Sequence, residues 1–261
     1  MSRTATGNTL PLIAVVGERR ELDGMPYHMA GEKYLSAVSE FVRGIPVLLP
    51  ATVGVEDLGN IVDRFDGFLF CGSVTNVDPA EWQLTSRAVG PFDQARDRLS
   101  KALIELVIDR DVPSLFICRG MQELNAAFGG TLHPDVARVT GRMNHHSPQD
   151  WDYAERYAPR HKVTLEAGSP LKAIFQQETF NVNSLHYQAL DQVAARLAVE
   201  AVADDDTPEA ISLRTHRFAV GVQWHAEYRP DLSPPNRHLL EAFGGASLQY
   251  AQLKRQKGTE Q

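Results

Sequence analysis

The chain is poor in cysteine: Cys71 and Cys118 are its two thiols in 261 residues. That is too few for a disulfide framework or a four-thiolate zinc centre, so any use of sulfur must be local. Excess positive charge is also missing. The 26 Lys and Arg are outnumbered by 33 Asp and Glu, and the formal net charge of −7 argues against nucleic acid and anionic membrane surfaces as main partners. Nor is there a long apolar run near the start. The stretch Leu12–Val16 falls short of the ~7–15 residues of a secretory core and the ~20 of a membrane span, so it reads as a buried strand. A cytoplasmic protein with reduced thiols is the expectation. What is present is ordinary: 43% hydrophobic and 23% charged residues, a composition that excludes wholesale disorder. The length suits one α/β domain over residues 10–250, with 1–9 and 251–261 as flexible termini.

Short apolar runs alternate with longer amphipathic segments, the pattern of βα units on a mostly parallel sheet. Strands are expected at 12–16, 46–49, 67–71 and 114–118, with helices at 33–43, 55–65, 93–110 and 122–128. The helix at 93–110 has the clearest stripe, Leu99, Leu103, Leu106 and Val107, and Gly129-Gly130 stops the one after it. Residues 131–160 are polar and rich in His, Pro and Asp, and read as an irregular surface excursion. Short strands are expected at 161–166, 180–183, 197–203, 210–214 and 219–222, then a closing helix at 237–254. Asp204-Asp205-Asp206 reads as a solvated hairpin turn.

Cys118 falls where an apolar strand meets a helix, with Gly120 two residues on. The carboxyl end of such a strand faces the crevice where α/β proteins bind ligands. The helix N-terminus would favour a thiolate, and Gly120 would leave room for a substrate carbonyl. The same position also suits a buried apolar filler, as free cysteine often is. A thiol nucleophile needs a base and a group to orient that base. Gln223-Trp224-His225-Ala226-Glu227 offers both, since residues i and i+2 of a strand share a face about 6.6 Å apart. Alone, His-x-Glu is equally two polar residues at a strand end. The turn Gly72-Ser73 could aim backbone N–H groups at an oxyanion or be an ordinary turn, and Cys71 reads as apolar filler. His133, His145, His146, His161, His216 and His238 lack metal-ligand spacing, so no metal is expected. His28 is a candidate for the pocket lining.

Together, the stretch from Ile117 through Cys118-Arg119-Gly120-Met121-Gln122 to Asn125, Gly129-Gly130 and Gln223-Trp224-His225-Ala226-Glu227 resembles the class I glutamine amidotransferase-like hydrolases. Within them, the γ-glutamyl-γ-aminobutyrate hydrolase group is the best match. Its pattern is visible in Pro26-Tyr27-His28, Glu32-Lys33-Tyr34, Gly72-Ser73 with Asn76-Val77 and Pro79, and Val182-Asn183-Ser184 with His186. The resemblance covers about residues 10–245 and implies a flavodoxin-like three-layer α/β/α sandwich with a mostly parallel central sheet. It implies a Cys118-His225-Glu227 triad acting on a small γ-glutamyl substrate, with the oxyanion held by backbone N–H groups of Arg119 and the Gly72-Ser73 turn. Gln122, with the Asn183, Ser184 and His186 loop, would hold the glutamyl α-amino and α-carboxylate groups, and His186 is an alternative base. Thioester hydrolysis needs no cofactor. A homodimer is compatible with this pattern. Two other functions stay open: a glutaminase subunit passing ammonia to a synthetase, and a catalytically silent binding protein. This sequence departs from the family at Cys71 and Ala226, where proline is usual, between Pro79 and Asp93, which is shorter, and across 138–150. Those loops bear on amine specificity.

Overall fold

The computed structural model describes residues 10–84, 88–148 and 150–259; the expected flexible N-terminus, 1–9, lies outside these. The chain opens with β1 (Leu12–Val16), the hairpin β2 (Glu18–Leu22) and β3 (Met25–Met29), and α1 (Glu32–Ala37), which widens into a π-turn at Val38–Val42. Next come β4 (Ile45–Leu49), α2 (Leu58–Val62), β5 (Gly67–Phe70), α3 (Pro79–Trp82), α4 (Gln94–Asp109), β6 (Ser114–Ile117) and α5 (Arg119–Ala127). The second half holds β7 (Leu132–His133), α6 (Tyr153–Arg156), β8 (His161–Leu165), α7 (Leu171–Phe175), β9 (Thr179–Val182) and β10 (Ala189–Leu190). It closes with β11 (Ala198–Ala203), β12 (Pro208–Ser212), β13 (Ala219–Val222) and α8 (Pro234–Thr259).

Among the described residues a nine-stranded sheet runs β4-β1-β5-β6-β13-β12-β11-β8-β9. Its first five strands pair in parallel and form the core of the fold; the last four extend it antiparallel. The parallel strands are continuous apolar runs because both faces are covered. Alternation sends Ile13, Val15, Leu69, Leu115 and Ile117 to one face, under α1, α7 and α8. Ala14, Val16, Phe68, Phe70 and Phe116 go to the other, under α2, α4 and α5. The result is a three-layer sandwich. The stripe on α4 is buried as expected, with Asp93 capping the helix by accepting the Arg96 N–H.

Three elements differ from the expectation. The hairpin β2–β3 turns on Asp23 (φ 51°) and Gly24 (φ 76°), a signal that Asp-Gly carries in any sequence and that the apolar-run pattern passes over. Helix α5 begins at Arg119 rather than 122, directly after Cys118. Helix α8 runs on to Thr259 through residues expected to be flexible, and Ala251 on it is buried.

Candidate active site

Strand β6 ends at Ile117, and the chain turns into α5 through one residue, Cys118. The turn holds Cys118 at φ 52°, ψ −106°, a conformation that costs a non-glycine residue about 1–3 kcal/mol and persists only where its surroundings enforce it. Here the Cys118 N–H donates to the Val222 carbonyl of β13 at 2.8 Å, and the Cys118 carbonyl accepts from the Gln122 N–H at 3.3 Å. The turn presses α5 onto β5: a Cβ on Gly120 would lie 2.5 Å from the Phe70 carbonyl oxygen. Glycine at 120 thus serves helix–strand packing, not the substrate access expected of it.

His225 and Glu227 follow β13, but in a turn beyond Val222 rather than on an extended strand. Their pairing is therefore made by the turn and not by strand alternation. His225 Nδ1 lies 2.7 Å from Glu227 Oε1, and Lys33 Nζ donates to the same oxygen at 2.7 Å. Tyr34 Oη and Lys33 Nζ stand 3.3 and 3.4 Å from His225 Nδ1. The His225 backbone is clamped by Asn183, whose Oδ1 accepts the His225 N–H at 2.8 Å and whose Nδ2 donates to the His225 carbonyl at 3.2 Å. With Nδ1–H committed to Glu227, Nε2 is left as the free base.

Gly72 sits between the candidate nucleophile and base. A Cβ there would lie 2.7 Å from His225 Cε1, 2.7 Å from Tyr34 Oη and 3.3 Å from Cys118 Cβ. The turn it belongs to is internally fixed: Ser73 Oγ donates to Glu18 and accepts from the Thr75 N–H at 3.0 Å. Cys71 supplies what proline cannot, an N–H donated to the Val16 carbonyl at 3.3 Å, and its thiol is buried as expected. These residues, with Lys33, Gln122 and His186, line a cleft of about 930 Å³.

A likeness to known proteins accompanies this geometry. The profile of the peptidase C26 family matches residues 11–227. The chain belongs to that family. It is 37% identical over 235 residues to the γ-glutamyl-γ-aminobutyrate hydrolase of Escherichia coli O157:H7, covering 89% of this chain and 92% of that one. Two solved structures share the fold at low identity. The glutaminase domain of Trypanosoma brucei CTPS has TM-score 0.56 at 16% identity, covering 91% of this chain and 93% of that one. A glutamine amidotransferase from Methylobacillus flagellatus has TM-score 0.54 at 14% identity, covering 86% and 73%. The fold is thus the flavodoxin-like sandwich of class I glutamine amidotransferases.

In this peptidase C26 chain burial sets the resting charges. The Cys118 thiol is pushed up to about 12, chiefly by burial and then by Glu227; the Arg119 N–H and Lys33 oppose this. The helix N-terminus therefore does not win the contest that the sequence suggested, and the resting sulfur is a thiol. His225 is held below its ordinary value by burial and by Lys33, against the pull of Glu227. Burial would raise Glu227, but Lys33 and His225 outweigh it and hold the carboxyl at about 2. The resting site holds a neutral thiol, a neutral imidazole and a Lys33–Glu227 ion pair.

Arg119 contributes a backbone N–H to the Cys118 sulfur, while its side chain turns away into a buried ion cluster. Arg119 Nη2 donates to Asp97 at 2.6 Å and Nη1 to Glu123, whose other oxygen takes Arg96 at 2.8 Å. Arg96 also donates to the Cys71 carbonyl at 2.6 Å, so the cluster braces α4, α5 and the Gly72 turn from behind. Replacing Arg119 with Met leaves Asp97 and Glu123 without their shared partner. We expect a loss of about 3–5 kcal/mol of stability, read by urea denaturation. A loss below 1 kcal/mol would show that the cluster relaxes without it.

The remaining residues of the peptidase C26 pattern divide. Gln122 is buried at the cleft, its Nε2 bonded to the Gln188 carbonyl at 2.8 Å and to Gln223 Oε1 at 3.2 Å. Gln223 Nε2 reaches Cys118 Sγ at 3.5 Å. Ser184 lies off the cleft, within 2.9 Å of His145 Nδ1. His186 lines the cleft but offers Nδ1 to the Gln188 carbonyl at 2.9 Å, and no carboxylate orients it through that nitrogen. His28 lies outside the cleft lining, its Nδ1 accepting the Ala51 N–H at 3.2 Å. Lys33 and Tyr34 carry no local motif beyond the Glu32-Lys33-Tyr34 match to the family, and nothing in the sequence pointed at Tyr157, whose hydroxyl accepts from Lys33 Nζ at 2.6 Å. His145 and His161, far apart in sequence, converge with Glu209, their candidate ligand atoms all within 4.8 Å of one another. The absence of metal-ligand spacing in the sequence therefore did not exclude a cluster assembled in space.

Proposed function

We propose that this chain is a thiol hydrolase cleaving the γ-glutamyl amide bond of a small γ-glutamyl amine, with γ-glutamyl-γ-aminobutyrate the preferred substrate, in putrescine breakdown in the cytoplasm. The observation that carries this is the strained Cys118 elbow beside an oriented His225–Glu227 pair, in a chain matching 92% of a hydrolase of that name. No described helix is long and apolar enough to cross a membrane.

On this reading the Cys118 proton passes to His225 as sulfur attacks the γ-carbonyl. The Arg119 N–H and the Gly72-Ser73 turn receive the oxyanion. His225 gives its proton to the departing amine, leaving a γ-glutamyl thioester on Cys118. Water, deprotonated by His225, then releases glutamate and restores the thiol. Ser184, off the cleft, supports the loop that carries His186, and Gln122 and His186 enter as the wall that positions the glutamyl head. Because Gln122 Nε2 is already bonded, that role falls more to backbone groups and cleft shape.

A glutaminase subunit would share the same three residues. Glutamate release by the purified chain from γ-glutamyl-γ-aminobutyrate, γ-glutamylputrescine and glutamine separates the readings. The expected result is turnover of the γ-glutamyl amines without any partner, well ahead of glutamine. Turnover of glutamine alone would favour the glutaminase, and no turnover of any would favour a binding protein.

A further inference from the structure

We propose that His145, His161 and Glu209, which lie outside the lining of the Cys118 cleft, form a binding site for one zinc ion. His145 comes from the irregular excursion, His161 opens β8, His186 sits on the loop between β9 and β10, and Glu209 lies on β12. Glu209 is fully buried, and neither carboxylate oxygen receives a hydrogen bond. An unpartnered buried carboxylate is among the most unfavourable groups a fold can hold. Three imidazole nitrogens surround its Oε1: His161 Nε2 at 3.2 Å, His145 Nδ1 at 3.7 Å and His186 Nε2 at 3.8 Å. The two longer separations exceed hydrogen-bond range. The His161 and His145 separations lie close to the edge of a tetrahedron, about 3.3–3.4 Å, that ligand atoms form around zinc at about 2.0–2.1 Å, whereas His186 stands outside the mutually close group.

The outward nitrogens fix where the protons are. His145 Nε2 faces Asp205 Oδ2 at 3.1 Å, and His186 Nδ1 faces the Gln188 carbonyl at 2.9 Å. Both partners only accept, so each ring carries its proton outward and turns a lone pair inward, toward the carboxylate. A cation among these lone pairs and the carboxylate would relieve their mutual repulsion, a task that a proton on His161 Nε2, 3.2 Å from Glu209 Oε1, would do only in part. Asp205 is itself held by the Met143 and Thr207 N–H groups. It is thus an oriented partner for a ligating histidine and not the solvated turn residue expected from sequence. Ser184 Oγ competes for His145 Nδ1 at 2.9 Å, but its proton can turn to the His145 carbonyl at 3.1 Å instead. Two imidazoles and one carboxylate whose ligand atoms all lie within 4.8 Å of one another suit zinc, with water completing a tetrahedral set.

Such an ion would pin the excursion to the sheet and fix the loop that carries Asn183 and Gln188. Asn183 clamps the His225 backbone, and Gln188 holds both Gln122 and the Val77 backbone. Metal analysis of the protein expressed in zinc-supplemented medium, followed by chelator stripping and cobalt titration, tests the assignment. We expect about one zinc per chain and, on titration, the intense visible bands of tetrahedral cobalt. Glu209→Gln and His161→Gln should each weaken zinc binding at least tenfold, whereas Cys118→Ser should bind zinc like the wild type. A wild-type chain that arrives metal-free and takes up neither ion at micromolar concentration would overturn the proposal. Full zinc binding by both ligand variants would overturn it too. If those variants fail to fold, the wild-type titration decides alone.

Discussion

Replacing Cys118 with alanine should lower kcat for γ-glutamyl amide hydrolysis by about 10⁴-fold or more while leaving a folded protein that still binds substrate. No second group can take over. The Cys71 thiol is buried, its pKa raised by burial, and its peptide is fixed at the end of β5 by Val16 and Arg96. His225 can activate water directly, but without the sulfur the two-step route through a thioester is closed. The fold should tolerate the change, because among the described residues the Cys118 side chain meets the Arg119 N–H and Gln223 Nε2, the latter at 3.5 Å, and neither contact is a strong one. The elbow itself is held by backbone bonds to Val222 and Gln122, which alanine keeps. Calorimetric binding of a γ-glutamyl amine to the inactive variant, beside steady-state rates, checks both halves. Residual activity within tenfold of the wild type would remove Cys118 from the chemistry. Mass spectrometry of the quenched wild-type enzyme should catch a γ-glutamyl adduct on Cys118 and none on Cys71.

The resting charges make a related point about rate. A thiol held near 12 is not a standing thiolate, so labelling by iodoacetamide at pH 7 should be slow without substrate. On the proposed mechanism, activation comes when attack and proton transfer to His225 occur together.

Much of the parallel core was legible because its strands are short unbroken apolar runs, buried on both faces, between amphipathic helices. The elbow was legible for the same reason: Ser114–Ile117 is a strand, and a helix that stops at Gly129 follows it almost at once. What escaped depends on contacts between distant segments. Lys33 reaches Glu227 across 194 positions, and no spacing rule connects them. The His145, His161 and Glu209 cluster is assembled from an irregular excursion and two antiparallel strands, so the ordinary search for ligands a few residues apart passes over it. The net effect of burial on Cys118 is equally non-local. A helix N-terminus can be seen in sequence, but the desolvation that outweighs it exists only once the cleft is closed around the sulfur.

The second large effect is expected at Glu227, where Glu227→Gln should cut kcat/KM by about 10²–10⁴-fold. On the proposed mechanism the carboxylate, 2.7 Å from His225 Nδ1, does two things through one oxygen: it fixes the His225 tautomer and stabilises the imidazolium that forms during turnover. A glutamine keeps the shape but loses the charge, and its amide can present N–H where His225 needs an acceptor. The pH profile separates this from simple damage. In the wild type, His225 sits below its ordinary value, so the acid limb of kcat/KM should fall below pH 6.5. Glu227 is the group pulling His225 upward, so removing its charge should move that limb further down even as the plateau collapses. Stability changes with the opposite kind of signature. Because the folded carboxyl is held at about 2, below its unfolded value of about 4.3, its contribution is present above about pH 4.3 and fades as pH falls toward 2. The variant loses that contribution and leaves Lys33 buried beside the Tyr157 hydroxyl at 2.6 Å and His225 Nδ1 at 3.4 Å, with no carboxylate to balance its charge. Adding Lys33→Met should return stability measured at pH 7 without returning activity. Recovery of both in the double variant would mean that Glu227 matters only as the partner of Lys33, and that His225 needs no carboxylate to work.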